Sequence, residues 1–168
     1  MAPEIVTGWR PGVIGGITGG FGRYFARTMG FGAEFEAKVA GIVATVAVRD
    51  GPDDLVLSAW EGEAFAGGLL IDGAPAGRAP GWAQLRTFIV TAPGQGLGRR
   101  LMGVAMAHLD ARGLACTLET IAGLDPARRL YEAHGFTLAA EAEDRTWGRP
   151  VREQRFDRPA GGLPGSGG

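Results

Sequence analysis

The chain is poor in the residues that build staples and metal centres. Its one cysteine, Cys116, excludes an internal disulfide and any cysteine-based zinc site. Its two histidines, His108 and His134, stand apart with no paired carboxylates between them, so no bound metal is expected. No apolar run approaches the ~18 residues that a membrane span needs. Neither sign of charge dominates: 17 basic residues against 18 acidic ones leave a net charge of −1, which argues against a general nucleic-acid binder. The opening residues, MAPEIVTGWRPG, lack the charged-then-apolar order of a secretory signal. The expectation is a cytoplasmic protein working without membrane or nucleic acid. What the chain has in excess is glycine, 30 of 168 residues, well above the usual ~7%.

At this length one domain with a real core is expected over 1–157, followed by a disordered Pro/Gly/Ser-rich tail at 158–168. Glu4–Trp9 has weak strand character. From Val13 to Met29, apolar residues recur at spacings of three and four, a helical stripe. Gly15, Gly16, Gly19, Gly20 and Gly22 fall inside it, each costing about 1 kcal/mol relative to alanine, so a break near Gly19-Gly20 is predicted. Ala33–Arg49 forms a second helix with Phe35, Val39, Ile42, Val43 and Val46 on one face. Leu55–Trp60 and Glu63–Ile71 read as a hairpin joined at Glu61-Gly62, with a glycine- and proline-rich connection from Asp72 to Pro80.

Gln84–Val90 is the next strand, and a helix spans roughly Gly96 to Arg112 with Leu97, Leu101, Val104, Ala105 and Leu109 inward. Leu114–Ile121 is a strand. Asp125-Pro126 opens a helix, Asp as N-cap and Pro in its first turn, which ends near Gly135. Phe136–Glu141 and Val151–Phe156 complete the strands. A hairpin run followed by a βαβαβ run implies a mixed α/β fold: six or seven strands with about four helices on both faces.

The most informative stretch is Leu85–Leu101, LRTFIVTAPGQGLGRRL. An apolar strand runs into a glycine-rich turn and then directly into an arginine-bearing helix. That order sets free backbone N–H groups at a helix N-terminus, where the dipole favours anions. Gly94, Gly96 and Gly98 have no Cβ to keep a phosphate from the backbone. No lysine followed by Ser or Thr comes after these glycines, so the nucleotide-triphosphate loop is a poor fit, and the spacing fails Gly-x-Gly-x-x-Gly from either start. The pyrophosphate turn of coenzyme A is the third possibility.

Two motifs then carry a likeness. Pro93-Gly-Gln-Gly-Leu-Gly-Arg-Arg-Leu-Met102 is similar to the Gln/Arg-x-x-Gly-x-Gly/Ala turn, and Ala127-Arg-Arg-Leu-Tyr-Glu-Ala-His-Gly-Phe136 to the Ala-x-x-Leu-Tyr-x-x-x-Gly-Phe helix, of the GNAT (GCN5-related N-acetyltransferase) superfamily. Gly22–Arg27, Gly30–Gly32, Phe35–Lys38 and Trp147–Gln154 further resemble the GNAT domains found fused behind MarR-type regulators. Pro93 stands where the family usually has Gln or Arg, and Leu124 where many members have Asn.

The resemblance implies a GNAT-like, mostly antiparallel sheet and an acetyl-CoA-dependent transfer to a primary amine of a small molecule or peptide. The pyrophosphate would lie on Gln95, Gly96, Leu97 and Gly98, with Arg99 and Arg100 adding positive charge. The pantetheine arm would lie along Phe88, Ile89 and Val90, with a backbone N–H near Ile89 polarising the thioester carbonyl. Tyr131 matches the family's general acid; a phenol near pKa 10 is comparable with a thiol. Glu119, late in its strand, is the candidate base, with Asp72 a weaker one. Tyr24, Arg27 and Glu36 would line the acceptor side, which the first two helices roof. An edge strand offers a route to a homodimer. A non-catalytic acyl-CoA-binding or ligand-sensing module is the alternative.

Overall fold

In the computed structural model, which describes residues 1–162, seven strands form one sheet in the order β1-β2-β3-β4-β5-β7-β6. The strands are β1 (Glu4–Thr7), β2 (Leu55–Glu61), β3 (Ala64–Asp72), β4 (Trp82–Val90), β5 (Ala115–Ile121), β6 (Thr137–Asp144) and β7 (Val151–Arg158); the helices are α1 (Val13–Met29), α2 (Ala33–Arg49), α3 (Leu97–Ala111) and α4 (Asp125–Ala133). Every neighbouring pair is antiparallel except β4 and β5. That one parallel pair needs a crossover, which α3 supplies. The expected mixed, mostly antiparallel α/β fold is thus the one observed.

The helices pack on opposite faces. On one face α3 and α4 close a core built from Leu101, Met102, Leu109, Leu118, Phe136 and Phe156. On the other, α1 and α2 bury Val13, Ile17, Phe35, Val43 and Trp60. β2 is buried along Leu55–Trp60 because both layers cover it.

The glycines of α1 do not break it; the helix runs unbroken from Val13 to Met29. Tertiary contact overrides propensity here. A Cβ on Gly16 would meet the Phe65 ring at 2.5 Å, one on Gly20 would touch Ile89 at 3.4 Å, and one on Gly22 would meet the Glu36 carboxylate at 2.7 Å. The missing side chain at Gly16 lets α1 sit close on β3, and the apolar area buried offsets the backbone entropy lost.

Several boundaries differ from expectation. Glu61 pairs with Ala64, so the hairpin tip is Gly62-Glu63. β4 begins at Trp82, two residues early, and β6 runs on to Asp144. Met102 and Met106 are buried on α3, whereas Val104 is 37% exposed. Leu124, not Asp125, is the N-cap of α4, and it makes no side-chain cap bond. Arg158 does not open a tail: it closes β7, buried, with its guanidinium on Asp110 at 2.9 and 3.2 Å and donating to the His134 carbonyl. The rest of the expected tail, 163–168, lies outside the described residues. No helix among the described residues is long and apolar enough to cross a membrane.

Candidate functional site

The site begins with an irregularity in β4. Gly68 pairs with Ile89 and Leu70 with Arg86, so two steps on β3 span three on β4. The extra residue is a β-bulge, and Thr87 within it has φ 54°, a left-handed conformation uncommon for a non-glycine residue. The bulge resets the side-chain alternation. Ala83 and Leu85 face the α3–α4 core before it, and Phe88 and Val90 face that core after it. Ile89 therefore turns the other way, onto Gly20 of α1.

The same irregularity opens the sheet. β4 pairs with β5 only from Trp82 to Leu85, whereas β5 continues alongside β7 to Ile121. Beyond the bulge β4 is bonded to β3 alone. The Thr91 amide donates to the Ala66 carbonyl at 3.0 Å. By the two-residue period of a strand, the Ile89 backbone also faces β3, while the N–H and C=O groups of Phe88 and Val90 face the gap. Near Ile89, the backbone N–H groups open to the gap are therefore those of its neighbours on either side.

The gap widens into a cavity of about 660 Å³. At one end stands the glycine turn. Gly94 (φ 97°) and Gly96 (φ 72°) hold left-handed conformations that strain a side-chain-bearing residue, and nothing lies within 4 Å of where a Cβ would sit. Gly96 is the N-cap of α3 and caps it with no side chain, so the first amides of the helix have no partner within it. Gly98 also packs. Its Cβ would touch Leu130 and Phe88 at 3.4 Å, so the bare glycine lets α3 close on α4 and β4. Arg99 lines the cavity; Arg100 is exposed on the same turn outside it.

In the middle of the cavity Tyr131 is buried, 6.3 Å from the Phe88 ring. Burial pushes its phenol well above 10, and Tyr24 adds to the shift. The Thr87 hydroxyl, buried on the same wall, has no hydrogen-bond partner among the described residues.

The far end is walled by α1 and α2 and by the β6–β7 connection. Phe21, Tyr24, Phe25, Phe35 and Trp147 supply aromatic surface, with Trp147 edge-on to Phe35 at 5.4 Å. Glu119 is exposed to this space. Glu153, which sequence reasoning did not single out, joins it. Burial and the negative charge of Glu119 raise its carboxyl above the ordinary range, and the Trp147 indole N–H donates to it at 3.3 Å. Glu153 was legible only as one residue of the Trp147–Gln154 likeness; pairing with β5 is what places it in the cavity.

The cavity thus gathers Tyr24, Phe88, Ile89, Val90, Gly96, Leu97, Gly98, Arg99, Glu119 and Tyr131. Gln95, Arg27 and Glu36 are exposed outside its wall, and Glu36 instead covers Gly22. Asp72 is tied to Arg49 at 2.7 Å and to Arg86 at 3.3 Å, an ion-paired strand end and not a free base. Cys116 is buried, and burial pushes its thiol up to about 12, which keeps it unreactive. The His108 ring contacts the Asp53 carbonyl at 2.9 Å, and the His134 ring the Leu130 carbonyl at 2.8 Å, both away from the site.

Comparison with known proteins agrees with this fold. The profile described as the Acetyltransferase (GNAT) family matches residues 23–136. Among solved structures, the yncA protein of Salmonella typhimurium, determined with its cofactor acetyl-CoA, superposes with a TM-score of 0.74 at 16% identity over 95% of each chain. The ribosomal-protein-alanine N-acetyltransferase of Brucella melitensis gives 0.74 at 15% identity, over 93% of this chain and 99% of that one. Arabidopsis thaliana NAA60, in complex with a bisubstrate analogue, gives 0.67 at 15% identity, over 95% and 99%. No curated protein matches the chain in sequence.

Proposed function

The chain belongs to the acetyltransferase (GNAT) family, and from that premise we propose that it is an acetyl-CoA-dependent N-acetyltransferase acting on a primary amine of a small molecule or peptide. The observation that carries this reading is the open half of β4. Its unpaired backbone groups at Phe88 and Val90 and the uncapped N-terminus of α3 meet in one cavity. A pantetheine arm offers amides that suit a strand edge, and a diphosphate suits backbone N–H groups at a helix start. The donor supplies an activated acetyl thioester; what remains is the work of the chain's own groups.

The amides of Leu97 and Gly98 bind phosphate oxygen, with Arg99 and Arg100 strengthening the field. The Phe88 and Val90 amides bind the arm and polarise a carbonyl that develops negative charge, held in place before reaction and with little water to screen them. Tyr131 keeps its proton at every working pH because its pKa is raised. Full transfer from an acid weakened by burial to a thiolate is uphill, because an ordinary phenol is already only comparable with a thiol. Tyr131 therefore stabilises the departing sulfur by donating a hydrogen bond. The carboxylates of Glu119 and Glu153 take the proton that an ammonium must lose before its nitrogen can attack; the raised pKa of Glu153 makes it the better suited of the two as a base.

The residues behind the MarR-fused likeness, Gly22–Arg27 and Trp147–Gln154, fall in the α1–α2 roof and the connection leading into β7. That placement supports a shared acceptor end with those domains.

The test is calorimetry with acetyl-CoA, followed by thiol release in the presence of an amine panel. Micromolar donor affinity and amine-dependent thiol release are expected. No affinity for any CoA species would overturn the reading. Donor binding without turnover on any amine would favour a sensing module.

A further inference from the structure

Resting on the acetyltransferase reading, the acceptor end of the cavity carries a statement about the acceptor. Glu119 pairs directly opposite Arg155, and Glu153 lies two residues along β7, so the two glutamates are diagonal neighbours on the α1–α2 face of the sheet. Neither makes an ion pair among the described residues. Arg155, the basic side chain nearest to both in register, is engaged with Asp157 at 3.3 Å. Behind Glu153, Asp144 adds a third carboxylate, held by the Thr146 hydroxyl at 2.8 Å. The cations lining the same cavity are committed elsewhere, Arg86 to Asp72 at 3.3 Å and Arg99 at the glycine turn, so the two like charges repel and a cationic ligand relieves that repulsion.

The surroundings restrict what carries the cation. Tyr24, Phe35 and Trp147 present aromatic faces and edges beside the carboxylates. The segment between β6 and β7 is strapped over this end. Lys38 donates to the Thr146 carbonyl and Arg149 to the Met29 carbonyl, and Lys38 also lies 5.6 Å from the Trp147 ring centre. The strap narrows the acceptor end against an extended peptide.

We propose that the acceptor is a small primary amine, a monocation on a flat apolar body, with its ammonium group between Glu119 and Glu153 and its body against Trp147 and Tyr24. Such a ligand fills the aromatic pocket, gains cation–π attraction and neutralises the carboxylates together. An α-amino acid, which brings a carboxylate beside its amine, is repelled. A diamine satisfies the charges but not the aromatic walls.

The experiment compares 2-phenylethylamine, phenylalanine and putrescine as acceptors at saturating acetyl-CoA, with donor affinity measured separately by calorimetry. 2-Phenylethylamine is expected to show the highest kcat/KM, at least about tenfold above the other two. Glu153→Gln is expected to raise the KM for 2-phenylethylamine about tenfold and to narrow its advantage over phenylalanine, with donor affinity unchanged. Glu119→Gln, on an exposed position, serves as the second variant if the first fails to fold. Phenylalanine or putrescine used as well as 2-phenylethylamine, or selectivity unmoved by either variant, would overturn the assignment. Absence of donor binding would instead overturn the acetyltransferase reading, and calorimetry with 2-phenylethylamine alone would still decide the cation site.

Discussion

The two ends of β4 are made from one strand and do opposite work. At Gln84 and Leu85 it is bonded on both sides, to β3 and to β5, and from Ala83 to Leu85 its residues are buried. From Phe88 to Val90 it is bonded on one side only and borders a cavity. The difference is a single inserted residue, Thr87, whose left-handed backbone lets β4 part from β5 while β5 stays with β7. The closed end is also pinned electrostatically: Asp54 binds Arg49 at 2.8 Å and the Gly73 amide at 2.7 Å, while Asp72 binds Arg49 and Arg86. The open end of β4 has no comparable carboxylate–arginine pins among the described residues. A sheet becomes a binding site where its own ladder is left incomplete.

The comparison breaks most visibly at the closed end. Ile71→Ala, at a fully buried position paired with Leu85, is expected to cost about 2–5 kcal/mol in urea unfolding, with donor affinity per folded molecule unchanged. At the open end the effect moves from stability to rate. Val90→Pro removes an amide that faces the gap and is expected to lower turnover by about 10²–10³-fold in steady-state assays. Ile89→Pro removes one that pairs with β3, so it should chiefly lower the midpoint of thermal unfolding. Equal effects of the two prolines in both assays would show that the alternation is misassigned.

Tyr131→Phe sharpens the same division: a fall in kcat of about tenfold to a hundredfold is expected, with donor affinity from calorimetry unchanged. The pH profile of the wild-type protein should show no loss of activity from phenol ionisation up to about pH 10, the usual phenol value, because the folded phenol titrates above it.

The smallest effect belongs to the pins. Burial raises the Asp54 carboxyl, but hydrogen bonds from Arg49, Gly73 and Gly51 outweigh it and leave the pKa below the usual carboxylate value. Its contribution is therefore present above the unfolded pKa of about 3.9 and is lost as pH falls through the lower folded value. Asp54→Asn is expected to cost about 1 kcal/mol at pH 7 and to differ less from wild type as acid unfolding proceeds.

Much of this was legible in the chain, and unevenly so. The bounds of α1 and α2 followed from periodicity, since each buries one face. The glycine turn before α3 followed from residue chemistry. The integrity of α1 did not, because propensity counts the cost of Gly16, Gly20 and Gly22 without seeing Phe65, Ile89 and Glu36 pressed against them. Val104 was misplaced because methionine fills Met102 and Met106 on a face that periodicity alone left ambiguous. Arg27 and Glu36 were placed by analogy with a roofing helix, and the rotation of each helix turns them away from the cavity. Glu153 was not singled out, because only the register of β7 against β5 sets it beside Glu119.

By itself the sequence determined the order of elements, the mixed sheet and the glycine turn at the start of α3. These arise from local patterns: a repeat of 3.6 or 2 residues, a run of glycines, an arginine pair. Only the tertiary structure decided which amides of β4 face the gap, which carboxylates meet and which glycines lie against neighbouring side chains. The physical reason is that strand register and the Thr87 bulge come from contacts between segments far apart in the chain, and shifting a strand by one residue turns every group on it to the other side.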